Sequence, residues 1–245
     1  MLLASPCFSS AEEAPKWQFG TYVAYLSGDY GQEDTTDLFY ASFFLKRYLG
    51  WGDVTVTVPY LNVSSDGATV VDGAVEPVEG GGSGSGLGDV VLKGRYYAVE
   101  QHGWIPFIDL VASVKIPTAD EDKGLGTGEL DFTGMVELAY RLGDSGWTAL
   151  AEAGYTFVGE PSDMEVDNRF LYGVGLAYEL DPQTTVSGYL DGRTAIFRGN
   201  EDALSILLIG EYKYRPQSSL TALLEIGLTN GSPDVGITLG WRTRM

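Results

Sequence analysis

From Leu220 to Leu228 every second residue is apolar (Leu220, Ala222, Leu224, Ile226 and Leu228), with Thr221 and Glu225 among the residues between. A period of two marks a strand with two unlike faces. After Asn230-Gly231-Ser232-Pro233-Asp234, which is turn chemistry, the alternation resumes as Val235, Ile237, Leu239 and Trp241 against Gly236, Thr238, Gly240 and Arg242. The rest of the chain repeats this grammar, so the fold has to keep one oily face along every strand. No stretch approaches the roughly 18 to 20 continuous apolar residues of a membrane helix. If the chain spans a membrane it does so as a closed barrel, the other arrangement that satisfies every backbone group in lipid.

Twelve runs read as strands: 16–27, 37–48, 53–62, 88–98, 104–117, 129–142, 147–158, 168–180, 184–197, 202–214, 220–228 and 235–245. The links between them alternate short and long, with residues 63–87 the longest, a Gly- and Ser-rich loop. That rhythm fits tight periplasmic turns and larger outer loops. Runs of about 10 to 14 residues are long for a soluble sheet and suit tilted strands crossing a bilayer. The expected fold is therefore all-β, a transmembrane antiparallel up-and-down β-barrel of about 12 strands. Pro59 and Pro106 lie inside strand runs and cannot donate to a ladder, so a bulge or strand end is expected at each.

The tryptophans test this independently. With all short links at one end, Trp17, Trp51, Trp104, Trp147 and Trp241 all fall there. Indole prefers the half-solvated headgroup zone, so such a ring reads as the membrane-interface girdle of a barrel. A soluble sandwich has no reason to collect its tryptophans at one rim.

The face opposite the oily one carries mixed charge. Lys93, Arg95, Asp109, Lys115, Asp131, Glu137, Arg141, Glu152, Arg169, Asp191, Arg193, Glu211, Lys213 and Glu225 are the expected lumen-lining residues, with Lys46, Glu179, Arg215 and Arg242 on the same parity. Such an interior is either a wet pore or a plug of cross-strand ion pairs, and alternation leaves both open. Of the 34 acidic residues, 18 fall in or at the edge of the expected outer loops, Glu76, Asp120 and Glu165 among them. Divalent ions could bridge these loops to lipopolysaccharide phosphates, although solvation is the plainer use of such charge. Of Lys46 and Arg47, one faces lipid, which is tolerable only near the interface.

The chain has 245 residues and a net charge of −19, which makes a nucleic-acid backbone an unsuitable partner. The single cysteine, Cys7, excludes an internal disulfide framework. Residues 1–11 read as the remnant of a secretory signal peptide, with Ser9 and Ala11 as small residues where a peptidase could cut. Residues 12–245 then form a single outer-membrane barrel domain with long acidic outer loops.

Ser85-Gly86-Leu87-Gly88-Asp89-Val90-Val91-Leu92-Lys93-Gly94-Arg95-Tyr96, then Lys115-Ile116-Pro117-Thr118, then Gly124-Leu125-Gly126-Thr127-Gly128 with Asp131 following, resemble motifs of a family of bacterial outer-membrane proteins associated with transport in the MetA pathway of phenol degradation. The final strand also resembles the closing strand of outer-membrane barrels, with Met245 where Phe is usual. The resemblance implies a membrane barrel delivered to the barrel assembly machinery through its C-terminal strand, in contact with outer-membrane lipid and lipopolysaccharide. It also implies passage of small solutes, aromatic or otherwise hydrophobic compounds included, and it carries over no catalytic residues.

An enzyme on this scaffold would need a nucleophile and a base placed together. The only histidine, His102, lies in an expected short turn, and Gly80 to Gly86 lacks the Gly-Lys-Ser and following helix of a phosphate loop. No catalytic residue, cofactor site or His/Cys metal cluster is read from the sequence. The expected function is an outer-membrane channel or facilitated-diffusion transporter, and the alternative is a structural or adhesive barrel with a plugged lumen.

Overall fold

The computed structural model describes residues 16–64, 68–71, 74–77, 83–161 and 165–245, with only the backbone described at 68, 69, 71, 74 and 77. The expected signal remnant, residues 1–11, lies outside these. The strands are β1 Trp17–Gly28, β2 Thr36–Leu49, β3 Gly52–Val63, β4 Ala68–Val71, β5 Ala74–Pro77, β6 Gly84–Leu87, β7 Val90–Val99, β8 Phe107–Ile116, β9 Asp131–Arg141, β10 Trp147–Phe157, β11 Arg169–Asp181, β12 Thr184–Arg193, β13 Ala203–Arg215, β14 Ser218–Gly227 and β15 Val235–Arg244.

Apart from the β4–β5 hairpin, these form one antiparallel sheet closed on itself. β15 pairs with β1 from Gln18↔Arg244 to Ser27↔Val235. Beyond that register the Trp17 amide donates to the Met245 carbonyl at 3.0 Å and the Met245 amide to the Trp17 carbonyl at 2.8 Å. Closure leaves no free edge, which is what lets a sheet stand in lipid.

The barrel has twelve staves, because β6 and β7 are two parts of one stave interrupted at Gly88 and Asp89. Both lie along β3, which pairs with β7 over 52–57 and with β6 over 60–63. The break faces Pro59, which has no N–H to give and whose carbonyl accepts from the Gly88 amide at 2.9 Å. Pro106 sits immediately before β8, so that strand starts at Phe107 rather than at the expected 104. β12 likewise stops at Arg193, short of the expected 197; Ile196 and Phe197 leave the sheet and pack with Val158 among the long loops.

Exposure follows strand parity. On β15, Val235, Ile237 and Leu239 are exposed, while Gly236, Thr238, Gly240 and Arg242 are buried. Phe43 is 68% and Leu239 61% exposed although both sit mid-strand. The apolar residues thus form the outer surface and the charged ones turn inward, the inverse of a soluble sandwich.

The longest link departs from expectation. Residues 63–87 are not simply a loop: they carry the β4–β5 hairpin, and the hairpin lies inside the barrel. Val70 and Val75 are buried against Tyr30, Leu38, Leu61, Val63 and Leu125, while Glu76 on β5 is paired with Arg169 on β11 and lies 3.7 Å from Arg193 on β12. Leu38, Leu61 and Val63 belong to β2 and β3, which the strand order places across the barrel from β11 and β12. The hairpin therefore bridges opposite walls at the end of the interior nearest the long loops.

Candidate functional site: the barrel interior

Below the hairpin the inward face is organised by register. Tyr97, Asp109, Glu137, Glu152, Gly173, Asp191 and Ser205 stand directly opposite one another on successive strands from β7 to β13. Four carboxylates in one row repel, and like charges directly opposite are destabilising in a sheet. One arginine offsets much of this. Arg95 Nη1 lies 2.6 Å from Glu137 Oε2 and Nη2 donates to Glu137 Oε1 at 3.0 Å, a two-pronged grip on one carboxylate. Arg95 Nη1 also lies 3.2 Å from Asp109 Oδ2, and Nε 3.9 Å from Asp53. Asp53 in turn is 3.4 Å from Lys46 and accepts from the Tyr97 hydroxyl at 2.8 Å.

A second centre forms under the β8–β9 link. Lys115 Nζ is 2.8 Å from Asp131 and 3.5 Å from Asp89, and it donates to Thr127 at 2.9 Å. The same two carboxylates tie down backbone. Asp89 Oδ1 accepts from the Thr118 and Ala119 amides, each at 2.9 Å, and Asp131 Oδ1 from the Gly159 amide at 2.9 Å. A third centre joins Arg242, buried on β15, to Glu211 and to Ser219, whose hydroxyl accepts at 2.8 Å. Glu225 accepts from the Ser205 hydroxyl at 2.8 Å.

The remaining expected residues are placed as follows. Lys93 is half-buried on β7 beside these centres. Arg141 lies at the end of β9, its guanidinium 5.8 Å from the Phe107 ring and its backbone clasped by the Gln101 side chain through bonds of 3.0 and 2.7 Å. Lys213 is exposed near the end of β13. Glu76, counted among the outer-loop acids, is instead 5% exposed inside the barrel. Asp53 and Asp89 belong to the charged interior and were missed: each stands at a strand end, where parity is weak evidence.

Several loop acids serve local structure. Asp29 accepts from the Gly31 amide at 2.9 Å, Asp202 from the Ala195 amide at 2.9 Å, and Asp120 pairs with Lys123 at 2.8 Å. Arg47 faces outward near the short-link rim, its guanidinium 4.6 Å from the Trp17 ring. All five tryptophans lie at that rim, with Trp147 packed on Tyr178 at 4.7 Å and the Trp241 indole N–H donating to the Tyr214 hydroxyl at 2.8 Å. His102 is an exposed turn residue whose Nδ1 lies 2.9 Å from the Glu100 carbonyl.

Glycines keep the inside from closing. A Cβ on Gly240 would lie 2.4 Å from the Tyr22 ring, one on Gly20 2.8 Å from Phe44, and one on Gly175 2.1 Å from Tyr189. Each ring therefore lies back against a neighbouring strand instead of projecting across the barrel. What remains is a cavity of about 140 Å³, walled by Phe107, Leu150, Tyr189 and Ile209 on its apolar parts and by Asp109, Glu137, Glu152 and Ser187 on its polar ones. Leu207, Ile209 and Leu223 form a buried apolar patch on the same inward face, against Tyr189.

Over residues 12–244 the chain matches the family described as "Putative MetA-pathway of phenol degradation". The chain belongs to this family. Its fold is similar to that of the COG4313 outer membrane channel from Pseudomonas putida F1, at a TM-score of 0.73 and 15% identity, covering 99% of this chain and 100% of that one. It is also similar to two toluene transporters. TodX of P. putida aligns at a TM-score of 0.51 and 9% identity over 96% of this chain and 91% of that one; TbuX of Ralstonia pickettii aligns at 0.50 and 10% over 95% and 90%. A comparison with curated proteins finds no match. With its oily exterior, closed twelve-stranded sheet and family membership, the protein is an integral outer-membrane β-barrel.

Proposed function

We propose that the protein is a passage for small, partly apolar solutes across the outer membrane. The observation that carries this reading is the two-sided cavity beneath the hairpin. A volume near 140 Å³ is close to the roughly 150 Å³ of an apolar cavity that takes up benzene. The carboxylate row beside it keeps the path wet, while Tyr189, Ile209 and Leu150 give an apolar body somewhere to rest. Hydrophobic solutes are also what TodX and TbuX, two toluene transporters, carry by name. In this reading the fourteen inward charged residues line the path, the five tryptophans form the interface girdle, and the acidic loops meet lipopolysaccharide. The C-terminal strand is what the assembly machinery engages. Catalysis has no part, so His102→Ala leaves every transport readout unchanged.

The hairpin favours a second reading, a barrel closed at rest. Planar-bilayer recording separates the two: excising 68–77 is expected to raise single-channel conductance severalfold over wild type. A folded sample that shows neither conductance nor liposome swelling, with or without the hairpin, would remove the passage. Gly240→Val tests the open half. The new side chain displaces the Tyr22 ring into the lumen at a strain of about 1–3 kcal/mol, so conductance of the hairpin-deleted barrel should fall while its folded gel mobility is kept.

A further inference from the structure

Three polar groups converge where the hairpin meets the β11–β12 wall. Arg169 is 2% exposed; one of its amino groups is paired with Glu76 and its Nε donates to the Thr194 carbonyl at 3.2 Å. Arg193 donates from Nη2 to the Gly231 carbonyl at 3.4 Å, while its Nε, 3.7 Å from Glu76 Oε1, is buried with no hydrogen-bond partner among the described residues. Tyr30, from the β1–β2 link, is 5% exposed and its hydroxyl is likewise buried without a hydrogen-bond partner among the described residues. Its backbone is held at φ 50°, a left-handed conformation costly for a bulky side chain. Burial keeps its phenol protonated well above the ordinary range, against the opposing pull of Arg193, so it is available as a donor.

This arrangement is poor fastening and good recognition. A buried ion pair adds little net stability over apolar packing, and an unmade buried hydrogen bond is a penalty. A barrel that needed only to hold a loop would do so with its valines. Instead two guanidinium groups face one carboxylate, Arg169 paired with it and Arg193 with an unbonded Nε 3.7 Å away, and the buried Tyr30 phenol lies within electrostatic reach of the same carboxylate. Guanidinium forks match carboxylates in geometry as well as charge. Val75, beside Glu76, fills an apolar pocket made by Tyr30, Leu38, Leu61, Val63 and Leu125. An oily body joined to an anionic head is thus the shape the pocket already accepts.

We propose that Arg169, Arg193 and Tyr30 form a binding site for a small carboxylate with an apolar body, and that Val75 and Glu76 of the hairpin occupy it in cis until such a solute takes their place. This rests on the passage reading and names its substrate class: monocarboxylates of roughly aromatic size, entering from the long-loop side. Displacing Glu76 frees the hairpin from the β11–β12 wall, so the solute that binds is also the one that opens the way.

The test uses the full chain folded in detergent micelles, with benzoate, acetate and toluene as probes and binding read by calorimetry and saturation-transfer NMR. Glu76→Ala, which removes the resident carboxylate, is expected to bind benzoate about tenfold more tightly than wild type, with acetate and toluene gaining little. In that background Tyr30→Phe should weaken benzoate about threefold, the loss of one hydrogen bond, and Arg193→Met should abolish it. Should Arg193→Met fail to fold, Arg193→Lys serves in its place, keeping the charge and losing the fork, with benzoate again weakened. Equal benzoate affinity in wild type and Glu76→Ala, toluene binding as well as benzoate, or indifference to both Arg193→Lys and Tyr30→Phe would overturn the assignment. Liposome swelling with an uncharged sugar, measured on the barrel lacking residues 68–77, reports on the passage separately: swelling there without benzoate binding by the full chain refutes the site alone, and benzoate binding by the full chain without swelling there refutes the passage alone.

Discussion

Arg95→Met is expected to cost about 3–5 kcal/mol of stability, the range seen when one partner of a buried ion pair is removed. Arg95 holds Glu137 with two contacts of 2.6 and 3.0 Å, reaches Asp109 at 3.2 Å and faces Asp53 at 3.9 Å. Without it, the three inward carboxylates keep Lys46, 3.4 Å from Asp53, and Lys93, which bears on Glu137 only through space. Asp109 is half-exposed to the lumen and will be partly rescued by water, so the lower part of the range is the better estimate. Urea unfolding in lipid vesicles, followed by tryptophan fluorescence, measures the loss. The double variant Arg95→Met/Glu137→Gln should recover a substantial part, because the amide removes the charge that Arg95 offset. A double variant no more stable than the single one would show that Arg95 acts by packing and not by charge.

The second large effect is on the other face. Leu239→Arg should destabilise the barrel by about 2–4 kcal/mol, the cost of an arginine on the lipid side near the bilayer midplane. Leu239 is 61% exposed in the middle of β15, pairing with Val23 and Ala222, and has no protein neighbour to offset a charge. Leu220→Arg supplies the control. Leu220 is also outward, 47% exposed, but it pairs with Tyr212 and Trp241 near the short-link rim, where an arginine costs about 0–1 kcal/mol. Arg47, outward at the same rim and stacked on Trp17, is the natural precedent. Equal costs at 239 and 220 would mean that the outer surface does not cross a depth gradient, and the membrane assignment would fall with it.

Much of this architecture was legible because a strand's side chains alternate with no freedom to do otherwise. Val235, Ile237 and Leu239 had to share one face and Thr238, Gly240 and Arg242 the other, whatever they touched. The count of twelve staves followed from the spacing of turn residues; at Pro59 β3 neither bulges nor ends, and the neighbouring stave breaks opposite the missing donor instead. The alternation broke down where strands end. Asp53 and Asp89 were overlooked there, and β8 and β12 proved shorter than their apolar patterns suggested, β8 because Pro106 precedes it and β12 because Ile196 and Phe197 pack among loops and not in the sheet. The row from Asp109 to Asp191 could not be read either, since register depends on how neighbouring strands slide, which parity leaves undetermined.

Sequence alone determined which face of each strand is oily, that a closed barrel was the form compatible with lipid, and that one rim collects the tryptophans. These follow from local geometry and from the insolubility of unpaired backbone in hydrocarbon. Only the tertiary structure decided that Glu76, 93 residues from Arg169 in the chain, turns inward to meet it, and that the hairpin bearing it spans the lumen. A glycine- and serine-rich link carries no periodic pattern to betray its course. Its position is set where Val70 and Val75 pack against β2 and β3 and where Glu76 meets Arg169 on the far wall, contacts that exist only once the sheet has closed around them.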